Sequence, residues 1–320
     1  MGAAEEKLAV AKLSVYSNCT LVILKLVAGF LMMSVAVMSE AIHSGIDLLA
    51  AMIARYSVKK SSEPADKDHT YGHGKYENLS GMIEGALIFV AAVWIMYEAA
   101  KRLMVREFEV ELLETGMVIM GLSAVLNFYV SSRLMKVAKR TDSLALEADA
   151  YHLKTDVWTS VGVFVALALI WVTDIHLIDP VVAIIVAGFI IHAAYDITSR
   201  SAEGLLDRSL PEEEMRLIER VIEEHRSDIL GYHRLRARKM GAERQVDVHM
   251  IVPRNLSVKD GHDLVDHLER EIRKELPRCV VVIHMEPCDA KCEECRKAPP
   301  PNQLMIEGAD EKGSDCRPKH

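Results

Sequence analysis

The chain has no excess of basic residues. Its 38 Lys and Arg are outnumbered by 46 Asp and Glu, giving a formal net charge of −8. Nucleic-acid binding, which needs a basic face, is therefore not expected. Cysteine is also sparse, with 6 residues in 320. A scaffold stapled by disulfides is not expected, and the cysteines read as thiols or metal ligands. His-Glu-x-x-His, the helical signature of a zinc hydrolase, is absent. No kinase or DNA-binding module is present to serve as the output of a sensor, which would need a separate partner. The N-terminus carries no short apolar core followed by a small-residue cleavage site, so a cleaved signal peptide is not expected.

What the chain does have is apolar length. Half of its residues are hydrophobic, concentrated in the first 200. A bilayer core needs roughly 20 mostly apolar residues per helix. Six stretches qualify, at 11–33, 36–58, 80–102, 114–136, 144–172 and 179–198. The connection at 59–75 carries Lys59, Lys60, Lys67 and Lys75, and that at 133–140 carries Arg133, Lys136, Lys139 and Arg140. With six spans both connections share a side with the two termini, so that side is cytosolic. Lys101, Arg102 and Arg106, near the end of the third span, run against this asymmetry.

Ionisable groups in hydrocarbon are costly, so each one points to function. The second span reads SEAIHSGID, with Glu40, His43 and Asp47, and the fifth reads EADAYHLKTD, with Asp149, His152 and Asp156. Both obey acid-Ala-x-His-x-x-x-Asp. Residues four apart lie about 40° apart around a helix and one turn along it, so each His and Asp share a face. Two such helices facing each other offer two imidazoles and two carboxylates, a tetrahedral set suited to Zn²⁺. The competing reading is a pair of isolated buried hydrogen bonds, which the repetition disfavours. Four protein ligands also leave no open position for a reactive water, against hydrolysis. Glu40 and Asp149 can orient the imidazoles or form salt bridges. Lys25 and Glu84 need partners or an aqueous cavity. Asn18, Asn127 and His192 read as packing groups. The acceptor triplets at Asn18, Asn78 and Asn255 fall in a span or on the cytosolic side, so glycosylation is not expected.

Residues 64–75, PADKDHTYGHGK, set Asp66, His69 and His73 at i, i+3 and i+7 in a Gly-punctuated loop. Three ligands there can hold a metal, although a solvated polar loop has the same composition.

After Leu206 the pattern changes. Pro211–Glu224 reads as an amphipathic helix, Gly231–Met240 and Glu243–Val252 as strands joined at Gly241-Ala242, Ser257–Leu276 as a second helix, and Cys279–Met285 as a third strand. The expected fold is thus an all-α six-helix transmembrane domain over 1–205 followed by an α+β (αββαβ, metallochaperone-like) domain over 206–290. His249 and His284 sit near strand ends with Glu286 on the face of His284, His233 begins the first strand, and His262 lies in the second helix. Surface histidines read the same way without a fold to gather them. His225 and His267 read as solvated. Cys288, Cys292 and Cys295 have tight thiolate spacing with no fourth ligand in view. Residues 291–320 are Pro-rich and charged and read as disordered.

Taken together, SEAIHSGID, PADKDHTYGHGK, EADAYHLKTD, LLDRSLPEEE and VVVIHMEPC resemble the cation diffusion facilitator family, closest to its bacterial ferrous-iron/zinc efflux type, over almost the whole chain to about residue 290. The resemblance implies a homodimer in the cell membrane that moves Zn²⁺ out of the cytosol in exchange for protons. Fe²⁺, Co²⁺ and Cd²⁺ are alternative cargoes. It implies a transport site of His43, Asp47, His152 and Asp156, a loop site of Asp66, His69 and His73, and a binuclear cytosolic site of His233, His249, His262, His284 and Glu286, with Glu286 where Asp is common. Lys75 and Asp207 match a charged pair that holds the dimer together at the membrane surface. His43 stands where bacterial members often have Asp. This resembles the zinc-selective pattern of animal zinc transporters and weighs against efficient cadmium transport. The long His-rich insert of vesicular transporters is missing between the fourth and fifth spans.

Overall fold

The computed structural model describes residues 2–31, 35–105, 114–173, 175 and 177–288. The chain divides into two compact units, Met1–Leu206 and Asp207–His320. Cys292, Cys295, the tail at 291–320, Arg106 and the side chain of Glu40 lie outside what is described.

The first unit is built from six long helices: α1 (Ala3–Leu31), α2 (Val35–Ser61), α3 (Lys75–Val105), α4 (Glu114–Thr141), α5 (Leu144–Thr173) and α6 (Ile178–Leu205). Among the described residues, four segments are long and apolar enough to cross a membrane: Ala3–Leu31, Lys75–Met104, Leu144–Ile170 and Pro180–Leu205. The other two helices, α2 and α4, run for 27 and 28 residues. The apolar surface is turned outward, as a lipid-facing surface requires: Phe30, Trp94, Phe128 and Phe189 are all exposed. Inside, small residues let the helices approach. Gly81 and Gly85 lie one turn apart on α3, and a methyl group on either would strike Ser201 or Thr198 of α6. Ala11, Val58, Leu134, Leu146 and Leu153 form an apolar cluster joining α1, α2, α4 and α5.

Polar residues tie the helix ends of this unit together. Glu77, in the first turn of α3, is 1% exposed. It accepts hydrogen bonds from Lys7 Nζ of α1 (2.7 Å), Ser61 Oγ of α2 (2.9 Å) and Ser143 Oγ, just before α5 (2.5 Å). Four helices are pinned by one carboxylate.

The second unit follows the order α7 (Glu212–Glu224), β1 (Gly231–Met240), β2 (Glu243–Val252), α8 (Val258–Glu275), β3 (Cys279–Pro287). Pro211 precedes α7, and Glu212, Glu213 and Glu214 fill its first turn, where acidic groups favour the helix dipole. Ser257 caps α8 by accepting from the Asp260 N–H at 3.1 Å. Gly241, at φ +60°, opens the two-residue connection between β1 and β2. These two strands are antiparallel, β2 and β3 are parallel, and the sheet order is β1-β2-β3. The apolar faces of α7 and α8 (Ile218, Ile222, Leu268, Ile272) close over Val246, Val248 and Met250 to make the core.

Candidate metal sites

In the first unit α2 and α5 bring the two His–Asp pairs together. His152 Nε2 lies 3.0 Å from Asp47 Oδ1, a hydrogen bond between the helices. His43 Nε2 lies 3.9 Å from Asp47 Oδ1 and 3.8 Å from Asp156 Oδ1. The donor atoms of His43, Asp47 and Asp156 all fall within 4.8 Å of one another, and His152 joins them through Asp47. Asp47 and His152 are buried, whereas the His43 side chain is 49% exposed. It opens into a cavity of about 630 Å³ lined by Asp47, Trp94, His152, Asp156 and Thr159 among others. The two carboxylates and two imidazoles around this cavity can exchange their mutual contacts for bonds to a cation.

Two neighbours differ from what residue spacing indicates. Asp149 is fully buried, but among the described residues His152 Nδ1 has no hydrogen-bond partner, so Asp149 does not orient the ring by that route. Orientation comes from Asp47 across the helix interface instead. Asn127 is no mere packing group: its Nδ2 on α4 donates to Asp156 Oδ2 at 3.1 Å. The only signal in the sequence was an amide within an apolar stretch of α4. Lys25, 6% exposed, donates to Ser44 beside His43 at 2.8 Å. Glu84 is fully buried and accepts from Ser80 at 2.8 Å.

In the loop between α2 and α3, Asp66 Oδ1 accepts from the backbone N–H groups of Asp68 and His69 at 2.9 and 2.7 Å. The His69 N–H, first among these causes, holds the Asp66 carboxyl below its ordinary range. The other oxygen faces His73 Nε2 at 3.3 Å, and His69 Nδ1 lies 3.5 Å from Oδ1. His73 is 3% exposed and neither ring nitrogen has a hydrogen-bond partner among the described residues. A buried imidazole with one nitrogen 3.3 Å from a carboxylate, and a second imidazole beside it, is a donor set that fits a metal. After the loop, Lys75 Nζ donates to the Leu205 carbonyl at 3.2 Å.

In the second unit the strand register gathers the histidines. His233, His249 and His284 are partners in one row across β1, β2 and β3. A bulge between His233 and Arg236, with Arg234 at φ +52°, sits beside this row. Glu286, two residues past His284 on the same face, accepts from His249 Nδ1–H at 2.7 Å and from His233 Nε2–H at 3.0 Å. The His249 bond, then the His233 bond, holds the Glu286 carboxyl below its ordinary range. His284 Nε2 stands 3.9 Å from Glu286 Oε1. His262 is exposed and outside this group, although a Cβ on Gly261 would touch the Met285 sulfur, so the first turn of α8 lies beside this end of β3. The donor set of two imidazoles and a carboxylate fits an ion such as Zn²⁺, for which His233, His249 and Glu286 would be the ligands. Asp207, in the same unit, accepts from Arg238 at 2.9 Å.

Residues 11–206 match the cation efflux transmembrane domain, and residues 210–288 match the cation efflux protein cytoplasmic domain. The chain belongs to the cation diffusion facilitator family, whose members are membrane transporters of cations and not enzymes. It is 35% identical to an uncharacterized transporter, sll1263, of Synechocystis over 83% of this chain and 86% of that protein. It is 30% identical to the cation-efflux pump FieF of Pectobacterium carotovorum over 86% of this chain and 91% of that one. A third relative, the uncharacterized transporter MJ0449 of Methanocaldococcus jannaschii, is 33% identical over 79% of this chain and 88% of its own length.

Proposed function

We propose that this protein exports Zn²⁺ from the cytosol in exchange for protons, by alternating access of one site made by His43, Asp47, His152 and Asp156. The observation that carries this reading is the meeting of the two His–Asp pairs: His152 and Asp47 are 3.0 Å apart across α2 and α5, and His43 and Asp156 are 3.8 Å apart. Two imidazoles and two carboxylates favour Zn²⁺ over the harder cations, with Fe²⁺, Co²⁺ and Cd²⁺ as competing cargoes. Imidazole ligates only when neutral, so protons and metal compete for the same nitrogens. A site open to a neutral cytosol loads metal, and the same site open to a more acidic exterior releases metal and takes up protons.

In this reading all six helices of residues 1–205 span the cell membrane, with both termini cytosolic. Residues 206–290 form a cytosolic domain that pairs with a second copy of the chain. Metal held by the loop residues Asp66, His69 and His73 and by His233, His249, His262, His284 and Glu286 strengthens the dimer and biases the transport equilibrium. The second unit's family match and its imidazole–carboxylate cluster support that role.

The test is zinc uptake into proteoliposomes under an imposed pH gradient, comparing the native chain with Asp156→Ala. Uptake that needs both the gradient and Asp156 is expected. Gradient-driven uptake that survives Asp156→Ala refutes the site, and folded native protein that binds zinc without moving it refutes the transport reading.

A further inference from the structure

His225 and His267 read as separate solvated residues in the sequence, but they meet in the fold. His225 follows the last turn of α7 and His267 lies midway along α8, and their Nε2 atoms are 3.1 Å apart. The other nitrogen of His225 fixes what this contact is. Its Nδ1 lies 2.9 Å from the Val221 carbonyl, which can only accept, so Nδ1 carries the proton and donates. In the neutral ring Nε2 is then a bare lone pair aimed at His267. This is the arrangement in which metal-binding imidazoles are commonly held, with the far nitrogen tied to a backbone carbonyl.

We propose that His225 and His267 form a further divalent-metal site that clamps α7 to α8. Two nitrogens at about 2.0–2.1 Å from a tetrahedral Zn²⁺ stand roughly 3.4 Å apart. The rings therefore need to part by only a few tenths of an ångström from the observed 3.1 Å. Without metal, the close approach is held by a single proton, carried on His267 Nε2 and donated to His225 Nε2. Metal binding at His267 Nε2 shifts that proton, by exchange with water, to Nδ1 of the same neutral ring, and replaces one hydrogen bond with two coordinate bonds. His225 is half-buried and His267 exposed, so water can complete the shell. Imidazole donors select Zn²⁺, Co²⁺, Ni²⁺ and Cu²⁺ over Mg²⁺ and Ca²⁺. With two protein ligands the site is weaker than the cluster around Glu286 and fills after it as zinc rises. It then rigidifies the helical layer that covers the sheet, because α7 and α8 pack on each other. This inference does not depend on the transport reading.

The experiment is equilibrium dialysis of the full-length protein in detergent against micromolar ZnCl₂, with metal counted per chain, for the native chain, His225→Gln, His267→Gln and the double variant. Each single variant is expected to lose about one zinc per chain and the double variant no more than either, because two imidazoles share one ion. Unchanged stoichiometry in folded single variants overturns the proposal, as does a double variant that loses twice as much. Should a variant not fold, carbethoxylation of the native chain decides. Zn²⁺, but not Mg²⁺, is expected to protect both His225 and His267, and modification of either at the metal-free rate in zinc overturns the site.

Discussion

Glu77 offers a measurable consequence of how the transmembrane unit is held together. Its carboxylate is 1% exposed, and it neutralises Lys7, whose side chain is 9% exposed. Replacing Glu77 with Met keeps the volume but strands the Lys7 ammonium in a dry site. Breaking a buried pair on one side costs about 3–5 kcal/mol, because the surviving charge is left uncompensated. Removing both charges is far milder. In Lys7→Met/Glu77→Met no ammonium remains, and Ser61 keeps the Val58 carbonyl as an acceptor at 3.1 Å. Ser143 alone loses its acceptor, at a cost of about 1–2 kcal/mol. The single variant is therefore expected to be less stable than the double variant, although it changes fewer residues. For a unit of some 200 residues each kcal/mol moves the unfolding midpoint by about 2–4 °C, so the single variant should fall by roughly 10 °C and the double by about half of that or less. Thermal unfolding of the full-length protein in detergent, followed by circular dichroism, makes the comparison. A double variant as unstable as Glu77→Met alone refutes the reasoning, because the stranded lysine would then not be the source of the loss.

Two further outcomes follow from single contacts. Asn127→Ala removes the amide that donates to Asp156 at 3.1 Å. Loss of such an outer partner typically weakens a metal site by about 10–100-fold. The concentration of zinc that half-saturates proteoliposome uptake should rise on that scale, and an unchanged value removes Asn127 from the site. In the second unit, burial pushes the Cys279 thiol up from 9.0 to about 11. At neutral pH iodoacetamide, which reacts with thiolates, should leave Cys279 intact in the folded protein and label it after unfolding. Between those two values the unfolded chain gives up a proton that the folded chain keeps. Rising pH through that window therefore costs folding stability, and Cys279→Ser should flatten that part of the profile.

What was legible in the sequence is what one element determines by itself. His and Asp four residues apart share a helix face whatever surrounds them, so both pairs could be read from α2 and α5 alone. Likewise, Gly241-Ala242 marks its turn, and Pro211 and Ser257 mark where helices begin. What was not legible depends on which faces meet. Nothing in α4 says that Asn127 will reach Asp156, and nothing in α3 says that Glu77 will gather Lys7, Ser61 and Ser143. The row of His233, His249 and His284 depends on strand register, which a one-residue slip would scatter to opposite faces. The same holds for His225 and His267, whose contact exists only because α7 packs on α8.

The clusters share one chemical device that no single motif displays. In each, a carboxylate reaches two imidazoles: Asp47 faces His43 and His152, Asp66 faces His69 and His73, and Glu286 faces His233 and His249. Ring hydrogen bonds reach Asp47 from His152 and Glu286 from His249 and His233, whereas Asp66 accepts from backbone N–H groups with its imidazoles at 3.3 and 3.5 Å. A cation that enters takes over the role of those protons, and the ligands have little further to move. Metal binding in such a cluster would be an exchange of protons for metal with little movement of the ligands. For the proposed proton-coupled export, that exchange is what the site of His43, Asp47, His152 and Asp156 needs, and with metal held at the loop and cytosolic clusters it would make their occupancy depend on pH as well as on metal.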